Sequence, residues 1–156
     1  MKALNSTSSV LANIVLPLAD GALLVPNAAV AEVTIAGGLS SAIASSFLLG
    51  TVAWREQEIP LFSFEGLRDG ELPKELKLRH IAVLYGISDR AELPFFAVAL
   101  SDMPHIERLI SADLQPLDSE SHPLIHSMVG LNEQRLTIPD WDNMEQQLMD
   151  ALNGVI

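Results

Sequence analysis

Short apolar runs separated by turn residues recur along the chain, and this spacing is typical of a β protein. Residues 10–18 and 22–25 flank Ala19-Asp20-Gly21, and an Asp-Gly pair between apolar runs predicts a tight hairpin. The other predicted strands are residues 28–35, 47–54, 59–64, 80–86, 94–100, 127–131 and 134–138, the last two joined by Asn132-Glu133.

A charged segment, residues 65–79, divides the predicted strands into two sets of similar size. Gly66, Gly70 and Pro73 indicate a loop there, with at most one helical turn near residues 74–77. The two sets share no convincing sequence repeat. The pattern therefore favours two small barrels packed together, with one larger sandwich as the alternative.

The segment from Asp102 to Ile110 allows two interpretations. Asp102 followed by Pro104 could begin a helix, whereas Ile106, Arg108 and Ile110 alternate as in a strand. The pattern favours loops in two other places, residues 37–46, which are mostly small, and residues 111–127, which contain two prolines.

The C-terminal segment is predicted to be a helix. Asp142 and Glu145 have capping-box spacing, and Asn153-Gly154 supplies a stop. We expect its apolar stripe to pack in the core, because the members recur at steps of three and four residues: Trp141, Met144, Leu148, Leu152 and Val155.

The charge of the chain excludes several classes of protein. Nine Lys and Arg residues against twenty Asp and Glu residues give a net charge of −11 in 156 residues. A nucleic-acid binder needs a surplus of cations, and an anionic membrane would repel this chain. The absence of cysteine excludes disulfides, thiolate nucleophiles and cysteine metal sites.

The apolar N-terminal third does not match a membrane span or a cleaved signal. Residues 1–9 are a polar lead-in, predicted to be flexible. Beyond them, polar and turn residues interrupt the apolar run every few positions, whereas a span needs about 20 unbroken apolar residues. We therefore expect a cytoplasmic protein. The interrupting residues are Asn13, Pro17, Asp20, Gly21, Pro26 and Glu32.

The sequence contains no motif of a phosphate-binding loop, a nucleophile elbow or a dinucleotide-binding site. His122 and His126 are four residues apart, a spacing that would place both rings on one helix face. Pro123 disfavours a helix at that position, so a metal site is not expected. We predict no catalytic residue, no metal and no cofactor.

Residues 47–61 resemble the central motif of CheW-like domains. In that family an apolar run leads to a glycine, an arginine and an apolar-Pro-apolar strand, and the matching positions here are Gly50, Arg55, Gln57, Ile59 and Pro60. Residues 25–26, 30–33, 79–85, 95–102 and 134–148 resemble its flanking elements, so the resemblance covers residues 10–153.

Three positions depart from the family pattern. Ala53 stands where the family has Asn, Glu56 where it has Gly, and Ser63 lies near its missing acidic residue. A glycine at such a corner often adopts a positive φ, which costs other residues roughly 1 kcal/mol or more. The chain is similar in this respect to the divergent ChpC-type CheW homologues of pilus chemosensory systems, which would link it to twitching motility.

The resemblance implies an all-β fold of two SH3-like five-stranded β-barrel subdomains with a short C-terminal α-helix. Residues 10–156 would form this single domain of two intertwined barrels. The implied function is a non-catalytic adaptor in chemotaxis signal transduction. A barrel edge would bind the regulatory domain of a CheA-type histidine kinase, and a groove between the barrels would take the cytoplasmic tip of a methyl-accepting chemoreceptor.

By the same resemblance, five residues are candidates for partner binding. Arg55 is the first of them, with Val30 and Glu32 from the Val-x-Glu-Val element, and Trp54 and Glu56 beside the arginine. For two of these residues an alternative to partner binding stays open. Trp54 could be a buried core aromatic, and Arg55 could be a solvated turn residue. The changes at residues 53 and 56 imply either an altered receptor choice or a loss of receptor binding.

Two other functions remain open from the sequence. One is a β-barrel interaction scaffold outside chemotaxis, which kinase binding would distinguish from the adaptor. The other is a small hydrolase with a spatially assembled site, for which His122 and His126 are the candidate residues.

Overall fold

A computed structural model describes residues 11–36, 39–40, 47–74, 79–87, 93–109, 113–118 and 121–153, which form two β-sheets and two α-helices. The predicted fold class, two β subdomains with a short C-terminal helix, is confirmed. In chain order the elements are β1 (Leu11–Pro17), β2 (Ala22–Pro26), β3 (Val30–Ile35), β4 (Leu39–Ser40), β5 (Leu48–Trp54), β6 (Gln57–Phe62), α1 (Phe64–Asp69), β7 (His80–Tyr85), β8 (Phe95–Leu100), β9 (His105–Leu109), β10 (Gln115–Leu117), β11 (Ile125–Leu131), β12 (Gln134–Pro139) and α2 (Trp141–Leu152).

The two sheets repeat one pairing pattern. Their strand orders are β4-β5-β6-β8-β7-β3 and β10-β11-β12-β2-β1-β9. In each, a short outer strand lies beside a hairpin, a parallel pair joins that hairpin to a second one, and an edge strand ends the sheet. The outer strands β4 and β10 have only two and three residues, so each sheet has five longer strands. We call the sheet of β3–β8 the first barrel and the other sheet the second barrel.

The division of strands between the barrels corrects one prediction. The sequence pattern assigned the strands before and after residues 65–79 to separate sets. Instead, the N-terminal hairpin β1–β2 belongs to the second barrel, and the hairpin β7–β8 belongs to the first. A sequence pattern locates strands but does not specify distant pairing partners, and here each barrel takes one hairpin from the other side of the connector.

Apolar residues fill three cores, one inside each barrel and one between the barrels. Consecutive residues of β6 show why the strands are apolar on both faces. Leu61 packs inside the first barrel and Phe62 packs between the barrels, and both are fully buried. Met144 and Leu148 bring α2 into the core between the barrels. The predicted core role of the α2 stripe is confirmed for these residues, whereas Val155 lies outside the described residues.

The connector contains a helix that the sequence did not predict. The Ser63 side chain accepts a hydrogen bond from the Gly66 amide at 3.0 Å and so caps α1. The helix ends at Gly70, whose φ of 84° is left-handed. The loop prediction was therefore wrong over α1, because Gly66 is a weak helix former but its amide satisfies the cap. The turn expected near residues 74–77 falls mostly outside the described residues.

The cap of α2 also differs from the prediction. Asp140, not Asp142, is the N-cap, and its carboxylate accepts from the Asn143 amide at 3.1 Å. Glu145 is not part of a capping box, because it is buried and bonds to another loop.

The ambiguous segment after β8 contains strand β9, so the strand interpretation is confirmed and the helix interpretation is wrong. Two predicted loops hold short strands, β4 and β10, and β11 begins at Ile125, two residues before its predicted start. The predicted lead-in, residues 1–9, lies outside the described residues. In the part of the chain that the structure describes, no helix combines the length and the apolar character needed to cross a membrane.

Candidate partner-binding site

The β5–β6 hairpin turns on two residues, Arg55 and Glu56, where the sequence suggested four. Trp54 pairs with Gln57, and the residues between them have φ values of 48° and 64°. Two successive positive φ values are typical of a type I′ turn. Glu56 thus adopts the left-handed conformation that was expected of a glycine at this corner.

Three of the five predicted partner-binding residues meet at this turn. The Trp54 indole N–H donates to Glu32 Oε1 at 2.9 Å, and Arg55 Nη2 lies 3.5 Å from the same oxygen. The Arg55 guanidinium carbon lies 4.4 Å from the centroid of the Trp54 ring. Trp54 is only 6% exposed, whereas the side chains of Arg55 and Glu32 are 63% and 41% exposed. A buried ring therefore supports an accessible ion pair.

Two further aromatic rings lie next to Trp54 in the first barrel. The Phe95 ring is centred 4.9 Å from the Trp54 ring, and the Tyr85 ring is centred 5.5 Å from the Phe95 ring. Tyr85 and Phe95 face each other across the β7–β8 pair. We call Glu32, Trp54, Arg55, Tyr85 and Phe95 the arginine site.

The energies within the arginine site are modest. An exposed ion pair contributes about 0–1 kcal/mol, and an exposed cation–π contact about 0.5–1 kcal/mol. These contacts hold the planar guanidinium in one place without burying it. Arg55 can therefore present its remaining N–H donors to a carboxylate or a carbonyl of another molecule.

The other two predicted residues, Glu56 and Val30, are not among the five residues of the arginine site. Glu56 is exposed next to Arg55 in the turn. Val30 lies half-buried opposite Leu84 in β7, and it packs against the core between the barrels. A register shift separates Val30 from Glu32, so these two residues do not form one surface.

Sequence analysis missed Phe95 and Tyr85, because neither lies near Trp54 in sequence. The available signal was the succession of two predicted strands, residues 80–86 and 94–100, which would pair if they formed a hairpin. That pairing would have brought the two rings together, but it would not have placed them under Trp54.

An apolar groove lies between the barrels, where β3 and β9, the edge strands of the two sheets, approach each other. Its volume is about 250 Å³. Met103 and Ile106 are strongly exposed for apolar residues. We call it the interbarrel groove, and its described lining residues are Ile14, Val33, Met103, Pro104, His105 and Ile106.

The two candidate histidines do not come together as metal ligands. His122 Nδ1 accepts from the Leu124 amide at 3.0 Å, so the neutral ring carries its proton on Nε2, which lies 3.0 Å from the Arg68 carbonyl oxygen. His126 is exposed and lies 3.4 Å from the Ser127 hydroxyl. Among the described residues no three His, Asp or Glu side chains are grouped to hold a metal ion. His122 therefore has a structural role between α1 and β11.

Arg68 and Asp69 form an ion pair at the end of α1. Arg68 Nε lies 2.7 Å from Asp69 Oδ1, and its Nη2 lies 2.8 Å from Oδ2. The hydrogen bond from Arg68 lowers the pKa of the Asp69 carboxyl, partial burial opposes this shift, and the charge of Arg68 lowers the pKa further. The same bond raises the pKa of Arg68.

Comparison with known proteins gives a match in structure and none in sequence. No protein-family model matches the chain, and no curated protein sequence matches it. The solved structures that match include the crystal structure of the scaffolding protein TtCheW from Thermoanaerobacter tengcongensis, with a TM-score of 0.67 over 84% of each chain. The sequence identity is 12%, so the likeness concerns the fold. The chain therefore has the fold of a CheW scaffolding protein.

Proposed function

We propose that this chain is a non-catalytic cytoplasmic adaptor that couples methyl-accepting chemoreceptors to a CheA-type histidine kinase. The observation that carries the proposal is the fold shared with the scaffolding protein TtCheW over 84% of the chain. The Arg55, Gln57 and Pro60 matches to the family motif support it from the sequence side.

The arginine site is the proposed contact for the regulatory domain of the kinase. Arg55 is exposed, yet Trp54 and Glu32 already hold its guanidinium. A side chain held in its bound position loses less conformational entropy on association. Glu32, with its side chain 41% exposed, adds an acceptor at the same place. We therefore expect a partner surface with complementary charges of both signs.

The interbarrel groove is the proposed site for the receptor tip. Helices bind protein grooves by inserting apolar side chains at helical spacing. Met103 and Ile106 offer exposed apolar surface along one wall, and Val33 belongs to the opposite barrel. Val33 lines the groove while its neighbour Glu32 bonds Trp54, so strand β3 connects the two proposed sites.

The glutamate at the β5–β6 turn favours an accessory adaptor of the ChpC type, with pilus-driven twitching motility as its output. Glu56 keeps the left-handed backbone but places an acidic side chain beside Arg55. This changes the charge next to the arginine. A kinase or receptor that accepts a glycine at this corner would meet an additional negative charge here.

Calorimetric titration with the regulatory domain of the CheA-type kinase from the same organism tests the proposal. We expect saturable binding, with NMR shift changes centred on the arginine site. Arg55→Ala should weaken binding while leaving the melting temperature nearly unchanged. Arg135→Ala, at an exposed arginine of the second barrel, is the matched control and should bind as the natural chain does. Absence of binding at several hundred micromolar, weaker than roughly −5 kcal/mol, would overturn the proposal.

A further inference from the structure

A buried glutamate of helix α2 holds a loop of the first barrel. Glu145, in α2, is only 1% exposed, and its Oε2 accepts a hydrogen bond from the Ile87 amide at 2.7 Å. Ile87 lies just after β7, in the connection to β8. Removing a buried acceptor leaves its donor unsatisfied. This bond is therefore a specific tie between α2 and the first barrel.

The described ends of this connection are closely packed. The Gly86 amide donates to the Pro94 carbonyl at 2.9 Å across the start of the β7–β8 connection. A Cβ atom on Gly86 would lie 1.7 Å from the Leu93 carbonyl oxygen. On the side toward Tyr85, a displacement at Ile87 therefore meets a closely packed backbone.

The adjoining residues belong to the arginine site. Tyr85 lies two residues before Ile87, and its ring packs against Phe95 at an angle of 45°. The Phe95 ring in turn contacts Trp54. The Arg55 guanidinium lies over the Trp54 ring, and the Trp54 indole N–H donates to Glu32. The α2 carboxylate is thus linked to the exposed guanidinium through the backbone of residues 85–87 and these ring contacts.

We propose that Glu145 is a positioning residue for the arginine site, although it lies in α2, outside that site. Its bond to Ile87 fixes the Tyr85–Phe95 pair, and that pair fixes the ring on which Arg55 rests. The expected effect of Glu145 on partner binding rests on the proposed adaptor function. Its expected effect on the positions of Trp54 and Arg55 does not depend on that function.

The chain offers a matched control in Glu65. This glutamate of α1 is also buried, and it accepts a hydrogen bond from the Ala19 amide in the β1–β2 turn. Helix α1 follows the β5–β6 hairpin of the first barrel and holds the β1–β2 turn of the second. Helix α2 follows the β11–β12 hairpin of the second barrel and holds the β7–β8 connection of the first. The chemistry of the two ties is the same, but only the Glu145 tie adjoins the arginine site.

NMR of the partner-free chain tests the proposal through the Trp54 indole N–H and the Arg55 Nε–H signals. The chain has two tryptophans, and Trp141→Phe assigns the Trp54 signal. Glu145→Ala should speed hydrogen exchange at Ile87 about tenfold or more, and it should shift both signals. Glu145→Gln keeps an acceptor and should restore them. Glu65→Ala should speed exchange at Ala19 and leave both signals in place.

Two results would overturn the proposal. One is that Glu145→Ala leaves the Trp54 and Arg55 signals unmoved, and the other is that Glu65→Ala moves them equally. If Glu145→Ala does not fold, Glu145→Asp decides, because it keeps the charge but its shorter side chain withdraws the acceptor from Ile87.

Binding measurements separate this inference from the proposed function. With the kinase regulatory domain, Glu145→Asp should weaken binding roughly twofold to thirtyfold, the usual range for residues that act through others. Glu65→Ala should not weaken it. If the natural chain itself does not bind, the adaptor proposal fails, and the NMR comparison still tests the role of Glu145.

Discussion

Ser101, the residue after β8, donates its hydroxyl hydrogen to the Leu18 carbonyl oxygen at 2.8 Å. Its amide donates to the Pro17 carbonyl oxygen at 3.0 Å. These two bonds attach the end of a first-barrel strand to the β1–β2 turn of the second barrel. The chain then continues to Met103 and Pro104, which form one wall of the interbarrel groove.

Ser101→Ala should lower the free energy of unfolding by about 1 kcal/mol, since it removes one hydrogen bond and leaves the Leu18 carbonyl without that donor. The wall of the groove should also loosen, which the Met103 methyl signal reports by NMR. Ser127→Ala is the control, because that hydroxyl lies 3.4 Å from a ring nitrogen of exposed His126. An unchanged Met103 signal would show that Ser101 does not position the groove.

Glu56→Gly should raise the stability of the chain. Glu56 has a φ of 64°, where glycine avoids a penalty of about 1 kcal/mol. The greater freedom of glycine in the unfolded chain offsets part of this gain, so we expect a net increase of roughly 0.5 kcal/mol in urea denaturation. Glu133→Gly is the matched variant, because Glu133 has a φ of 67° in the equivalent turn of the second barrel. A loss of stability in both would contradict the left-handed conformation.

Most of the longer strands and two of the tight turns could be predicted from local pattern, because alternation and turn residues act over a few positions. The short strands β4 and β10 lie in segments predicted to be loops. Gly21 and the Asn132-Glu133 pair each mark a turn that the structure contains. Helix α1 could not be predicted in the same way, because Gly66 lies within it. The exchange of hairpins between barrels depends on pairings between distant segments, for which a single sequence carries no local signal.

The same distinction between local and distant contacts applies to the candidate site. The resemblance to a family motif identified Arg55 and Glu32, and the structure adds why they meet, which is the shared bond to Trp54. Phe95 is 41 residues from Trp54 in sequence, so no spacing rule connects them. The interbarrel groove combines β1, β3 and β9 from two sheets. It exists only once the two barrels pack together.

Ile106→Glu should abolish receptor binding without unfolding the chain. Ile106 is 55% exposed in the groove, and substitutions at exposed positions usually change stability by less than about 0.5 kcal/mol. A carboxylate in the groove would have to lose its hydration when an apolar helix binds. Ile35→Glu is the control, because Ile35 is 60% exposed and is not a lining residue of the groove. Retained binding of the receptor tip by Ile106→Glu, measured by fluorescence anisotropy, would place that tip elsewhere.

Asp69→Asn should reduce stability at neutral pH and not at low pH. The Asp69 pKa is lowered in the folded chain, chiefly by the hydrogen bond from Arg68. Its stabilising contribution is therefore complete above the ordinary Asp pKa of about 4 and is lost as the pH falls through the lower folded value. We expect a difference of at most about 1 kcal/mol at pH 7, because the Asp69 side chain is 49% exposed and solvent screens its charge. Urea denaturation at pH 7 and at about pH 2 should show this difference and its disappearance.

A matched control for that pH dependence is Asp20→Asn. Asp20 approaches the same arginine at 3.6 Å, but its side chain is far more exposed than that of Asp69. A smaller effect at pH 7 is therefore expected. An equal effect from both variants would mean that the direct Arg68–Asp69 hydrogen bond adds nothing to general charge attraction.

The two histidines provide the test that separates an adaptor from a hydrolase. His122→Ala should lower the free energy of unfolding by about 1–3 kcal/mol, because it leaves the Leu124 amide without its acceptor and the Arg68 carbonyl without its donor. His126→Ala should change it by less than about 0.5 kcal/mol, since that ring is exposed. Added zinc should not stabilise the natural chain in thermal denaturation. A zinc-dependent rise in melting temperature that disappears in both variants would favour the hydrolase, because a metal that binds only the folded chain must stabilise it.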